Sequence, residues 1–309
     1  MKKLTLITTI ALFFGLTVLS SCEKENEMDN PKAVSEMSIA EYAVSDANFS
    51  TLVKALTKAN LVDALSGEGS FTVFAPTNAA FDALFMSLGV SGIDQLSADQ
   101  LTPILLYHVL GSEVKSSMIA EGYAATISPA QSSYLNLIIS IDGGVKINKT
   151  STVTVADVDV KNGVIHAIDK VLLPPTVVDH ALANDNFSIL AAAVVKAGLA
   201  ETLMEEGPFT IFAPTNEAFE ALFTQLGVSG INDLTAEQLT PILLYHVVSG
   251  NIRSGSLSAG SVSTLNGSVD ITLSPAPAIN ETSMIIATDV QAVNGVIHAI
   301  DEVLLPPAK

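Results

Sequence analysis

Five histidines are the side chains best suited to chemistry near neutral pH: His108, His166, His180, His246 and His298. An imidazole close to its ordinary pKa passes protons and ligates zinc or copper. Four of the five recur in pairs, His108 with His246 and His166 with His298, while His180 stands apart. Neither pair has ligand spacing on one element, and the lone cysteine, Cys22, is far away in sequence. That single cysteine also rules out an intrachain disulfide. His108 falls among leucines and a tyrosine, and His166 shares a strand face with Val164 and Ile168. The expectation is buried imidazoles whose nitrogens satisfy backbone groups. Asp157 and Asp159 alternate with Val158 and Val160, which puts both carboxylates on a solvated strand face. There is no G-x-S-x-G elbow, no Walker loop and no dinucleotide fingerprint. No catalytic residue, no metal and no cofactor is expected.

These residues are positioned by a duplication. FTVFAPTN at 71–78 returns as FTIFAPTN at 209–216, LTPILLYHV at 101–109 returns at 239–247, and NGVIHAID at 162–169 returns at 294–301. Order is kept and spacing nearly so. The period is far longer than a solenoid unit, so each copy is a domain with its own core. In the first copy, residues 37–65 carry helical spacing, with Asp46 or Asn48 as candidate caps. FTVFA follows as a strand with bulk on both faces, hence central rather than edge. Pro76 ends it, and Thr77 or Asn78 caps a helix that closes at Gly89. Ser97–Gln100 and Thr235–Gln238 read as capping boxes. Pro103 directs a fresh turn capped by Thr102. Beyond Gly111 the texture is β, with Asn162-Gly163 and Asn294-Gly295 suiting type I′ hairpin turns. Helices first and strands later argue for α+β.

The chain has 309 residues and a net charge of −18, from 32 acidic against 14 basic groups. Such a field repels phosphate backbones, so nucleic acid is not an expected partner. Lys2 and Lys3 precede an apolar run at 4–18, too short to span a membrane as a mature helix. Leu19-Ser20-Ser21-Cys22 then resembles the bacterial lipobox. That resemblance implies removal of 1–21, diacylation of Cys22 and a membrane anchor. Residues 22–34 read as a disordered acidic tether, followed by one domain at 35–175 and another at 176–309.

The three repeated motifs together resemble the fasciclin-type domain. Thr77, Asn78, Thr215 and Asn216 lie in its first motif, and Tyr107-His108 and Tyr245-His246 form its tyrosine–histidine motif. His166 and His298 lie in its closing motif, which matches 162–174 and 294–306. The resemblance implies an α/β wedge in which N-terminal helices pack beside a β-sandwich-like sheet. It implies adhesion to cell surfaces, matrix or polysaccharide, and no general enzymatic activity. An Asp-Ile pair tied to integrin binding in animal relatives is absent, since Pro103 and Pro241 precede Ile104 and Ile242. The expected protein is thus an outer-membrane lipoprotein displayed at the cell surface. The alternative is a non-enzymatic lipoprotein that captures a glycan or small molecule. Oligomeric state is left open.

Overall fold

The computed structural model describes residues 32–131, 133–205 and 207–307. Cys22, the apolar leader and the tether as far as residue 31 lie outside the described residues.

The first copy opens with three short helices, α1 (Ile39–Ser45), α2 (Ser50–Lys58) and α3 (Val62–Ser66). Ser38 and Glu41 form a reciprocal capping box on α1, and Asp46 caps the 3-10 turn before α2. Strand β1 (Phe71–Pro76) leads into α4 (Asn78–Leu88). The Thr77 side chain accepts from Ala80 N–H, and Gly89 closes the helix in the left-handed conformation that glycine adopts without penalty. Helix α5 (Ala98–Tyr107) follows, with Ser97 and Gln100 boxed at its start. Strands β2 (Val109–Leu110), β3 (Gly122–Ala130), β4 (Ser133–Ser140), β5 (Lys146–Ile147), β6 (Ser151–Val160) and β7 (Gly163–Ile168) complete the copy.

The second copy repeats this order. It runs α6 (Val177–Ala183), α7 (Ser188–Lys196), α8 (Ala200–Met204), β8 (Phe209–Pro214), α9 (Asn216–Leu226) and α10 (Ala236–Tyr245). Then come β9 (Val247–Ser249), β10 (Gly260–Thr264), β11 (Gly267–Thr272), β12 (Ala278–Ile279), β13 (Ser283–Ala292) and β14 (Gly295–Ile300).

Among the described residues each copy forms a mixed seven-stranded sheet, ordered β2-β1-β7-β6-β5-β4-β3 in the first and β9-β8-β14-β13-β12-β11-β10 in the second. The β1–β7 pair and its counterpart β8–β14 are parallel, and every other pairing is antiparallel. β1 is central, as its two bulky faces require. Val73 and Ala75 pack with Leu52, Leu56, Phe81 and Leu101 of the helices. Phe74, on the other face, packs with Leu135 and Leu137 of β4. Those strands are far apart in sheet order, so the sheet folds over itself and encloses a second apolar layer, which makes it sandwich-like. The second copy has the same two layers, around Phe219 and around Phe212.

Three local expectations are corrected. Helix α5 runs through Pro103 instead of restarting there. The carbonyl deprived of its donor belongs to exposed Asp99, and Thr102 Oγ1 donates to Ala98 O at 2.8 Å, so the fault opens to water. The Asn-Gly pairs are not type I′ turns. The loop is Lys161-Asn162 without positive φ, and Gly163, φ 149°, already pairs with Val160 in β7. It is glycine because a Cβ there would lie 2.0 Å from Phe71 O on β1. Lastly, β6 does not alternate cleanly. A bulge between Val155 and Val158 puts Asp157 at φ 59°.

Candidate functional site

The three repeated motifs meet at one buried junction. Phe74 N–H, from the first motif, donates to His108 O at 2.9 Å. The Phe74 ring lies 5.7 Å from that of His166, from the third motif. His108 caps the C-terminus of α5 with Nδ1 2.7 Å from Ile104 O, and its Nε2 receives the N–H of Leu172 at 2.9 Å. A nitrogen facing a carbonyl must donate and one facing an N–H must accept, so His108 is neutral with its proton on Nδ1. Burial holds its pKa down at about 4. His246 repeats the arrangement with Ile242 O at 2.8 Å and Leu304 N at 2.9 Å, and burial again holds the pKa at about 4.

His166 uses the other tautomer. Its Nδ1 accepts from Asp157 N at 3.2 Å and its Nε2 donates to Val114 O at 2.9 Å. His298 does the same with Asp289 N at 3.4 Å and Ile252 O at 2.8 Å, and burial lowers its pKa. The bulged Asp157 carboxylate accepts from Ser116 N–H at 2.7 Å and from the Ser116 hydroxyl, which lowers its pKa. Asp159 stays exposed and pairs with Lys115 at 2.9 Å. Both ring nitrogens of all four motif histidines are therefore committed to the backbone.

Tyr107 is fully buried. Its hydroxyl donates to Asn136 O and accepts from Asn148 Nδ2, both at 2.9 Å, and burial pushes the phenol pKa well up. Tyr245 bonds Ser268 O at 2.8 Å and Asn280 at 3.3 Å. Asn78 clasps the start of α2, accepting from Thr51 N at 2.9 Å and donating to Ala47 O at 2.8 Å, as Asn216 does with Ile189 and Asp185. Thr215 caps α9 as Thr77 caps α4. The motif side chains thus sit inside the domains as braces or at helix starts as caps.

Sequence reasoning missed the side chains of Asn162 and Asn294. Asn162 accepts from Ile39 N and donates to Leu65 O and Gly67 O, each at 2.9 Å, sewing α1 and α3 to the last hairpin. Asn294 makes the equivalent bonds to Val177, Leu203 and Glu205. The repeated Asn-Gly was the available signal, although it pointed to a turn.

Polar groups also meet at the joint between the copies. Asn184 Nδ2 donates to Tyr123 OH at 3.0 Å, Gln291 N–H donates to Asn136 Oδ1 at 2.8 Å, and Lys149 pairs with Asp185 at 2.5 Å. His180, without a counterpart in the first copy, lies edge-on to Tyr123 at 5.5 Å. Its Nε2 lies 3.3 Å from Gln291 O, its Nδ1 is buried without a partner, and burial holds its pKa at about 4. Beside these contacts a groove of about 500 Å³ runs between the copies. Among the described residues no cluster of three or more His, Cys, Asp or Glu could hold a metal ion, and no helix is long and apolar enough to cross a membrane.

Comparison with known proteins places this geometry. The profile described as Fasciclin domain matches residues 47–174 and again 185–306. Protein sll1483 of Synechocystis sp. is 43% identical over 161 residues, covering 52% of this chain and 87% of that protein. Transforming growth factor-beta-induced protein ig-h3 of Sus scrofa is 32% identical over 275 residues, 85% of this chain. The chain spans only 37% of that pig protein. Cell surface glycolipoprotein MPB83 of Mycobacterium bovis is 37% identical over 144 residues, 44% of this chain and 60% of its own length. Matched twice, over most of its length and in the motifs that build its interior junctions, the chain belongs to the fasciclin domain family.

Proposed function

We propose that this chain is a lipid-anchored surface protein whose two fasciclin domains adhere to a cell-surface, matrix or polysaccharide ligand. One observation carries the reading: the motif histidines spend both ring nitrogens on backbone partners. What each domain offers a partner is its outer surface. A lipobox-like Cys22 and the relationship to a protein described as a cell surface glycolipoprotein support the anchor. Many anchored copies add avidity to weak single contacts. The groove between the copies favours a second reading, capture of a glycan or small molecule by the same anchored protein.

Protease treatment of intact cells, with a periplasmic protein as internal control, tests the first reading. Digestion of both domains while the control survives, together with release of Cys22→Ser into the soluble fraction, is the expected result. Full protection of the domains overturns surface display, and a Cys22→Ser protein that stays with the membrane overturns the lipid anchor.

A further inference from the structure

The duplication supplies its own control, because a position that meets a partner in one copy faces water in the other. Sheet register aligns the two: Gly122 pairs with Ile139 as Gly260 pairs with Ile271, and Asn148 and Asn280 share a left-handed backbone. The joint residues differ between the copies. Tyr123, Ile138 and Lys149 correspond to Ser261, Asp270 and Glu281, and Asn184 and Gln291 correspond to Asp46 and Asp159. Ile138, Asn184 and Gln291 each replace a carboxylate where the copies touch, and Lys149 reverses the charge of Glu281 so that it pairs with Asp185.

The same comparison picks out residues that the joint itself does not explain. The groove has an apolar floor and wall that include Ile286, Val290 and Ile138, and two carboxylates, Glu121 and Asp185, line it. Glu121 corresponds to Ala259, Asp185 to Ala47 and Ile286 to Thr154. Each of the three thus occurs only in the copy whose position faces the groove, Glu121 in the first and Asp185 and Ile286 in the second. Ile286 is 55% exposed, an unusual state for a residue that replaces a threonine. Asp185 pairs through Oδ1 with Lys149 and lines the groove, and Glu121 is exposed.

We propose that this groove, built from both copies and present in neither alone, binds a peptide segment that presents an apolar side chain beside a lysine or arginine. The apolar floor takes the side chain out of water and the two carboxylates take the cation. The volume lies within the range of small-ligand sites, which form preferentially between domains. The net charge of −18 draws a basic segment in. The proposal rests on the joint and is independent of where the protein is displayed.

Fluorescence anisotropy of the full-length protein with a fluorescein-labelled peptide alternating leucine and lysine tests it. The variant Glu121→Ala with Ile286→Thr restores the residues of the other copy. Both positions are exposed, so folding is retained, which a matching melting curve checks. Saturable binding to the wild type, weakened about tenfold in this variant, is expected. The charge-matched control Glu201→Ala with Met86→Thr leaves it unchanged. Equal loss in the control, or equal binding of an all-lysine peptide, would mean that bulk charge alone attracts the probe and overturns the proposal. Absence of saturable binding overturns it too, as does a dimer in sedimentation that the groove variant dissolves, since a second copy would then be the occupant.

Discussion

Acidification from pH 7 to pH 5 should weaken each domain through its motif histidine. In the first copy His108 accepts the Leu172 N–H on Nε2, so a second proton would set two donors against each other and place a charge in an apolar interior. Burial accordingly holds the pKa at about 4 against an ordinary 6.5. Between those values the unfolded chain binds a proton that the folded one refuses. The stabilisation is complete above pH 6.5 and is lost as pH falls from 6.5 towards 4. A gap of about 2.5 units corresponds to about 3.4 kcal/mol at the acid limit, and about 2 kcal/mol is already lost at pH 5. Urea denaturation at both pH values, followed by hydrogen exchange to separate the domains, measures this. His108→Gln should be less stable than wild type at pH 7, yet its first domain should lose about 2 kcal/mol less on acidification. The second domain, which keeps His246, should respond as in wild type. A first domain whose pH response is the same with and without His108 would refute the neutral, buried imidazole.

Three further outcomes follow from the geometry. Tyr107→Phe leaves Asn136 O and the Asn148 amide without their buried partner and should cost about 1–3 kcal/mol. Adhesion per folded molecule should be unchanged; a large loss of adhesion at full stability would make the tyrosine a contact residue. Gly163→Ala should cost about 3 kcal/mol or more, because its Cβ meets Phe71 O across the parallel pair; a loss below 1 kcal/mol in chemical denaturation, well under that estimate, would refute the close approach. Tyr123→Ser with Ile138→Asp copies the second domain's residues into the joint. Small-angle scattering should then show a larger radius of gyration, and an unchanged radius would mean that the joint does not fix the pair.

What could be read in the sequence was what the chain determines locally or states twice. FTVFA carries bulk at odd and even positions, and only a central strand with apolar layers on both sides uses both sets. The capping boxes at Ser97 and Thr235 are satisfied within four residues, so their partners were visible in the same stretch. The tyrosine–histidine motif was legible as buried because leucines surround it. The missed features depend on contacts that close late in the chain. Asn162 serves Leu65 and Gly67, and Gly163 is needed only because β1 passes alongside. Both effects look, in sequence, like an ordinary Asn-Gly turn. Asp157 escaped because alternation assumes an unbroken strand, whereas the bulge spends one residue out of register to bring that carboxylate to Ser116.

The joint and its groove stand between these cases. No single stretch encodes them, yet the aligned copies do. Asp185 and Ile286 of the second copy line the groove where the first keeps Ala47 and Thr154, and Glu121 of the first copy lines it where the second keeps Ala259. The shared core explains why the motifs persist. It does not explain why solvent-accessible positions in equivalent elements exchange alanine for a carboxylate on both sides of one groove. Ile286 makes the same point from the apolar side. A fold requirement would bury it or accept threonine there, as the first copy does, whereas a surface that takes a partner keeps an apolar side chain open to water until the partner arrives.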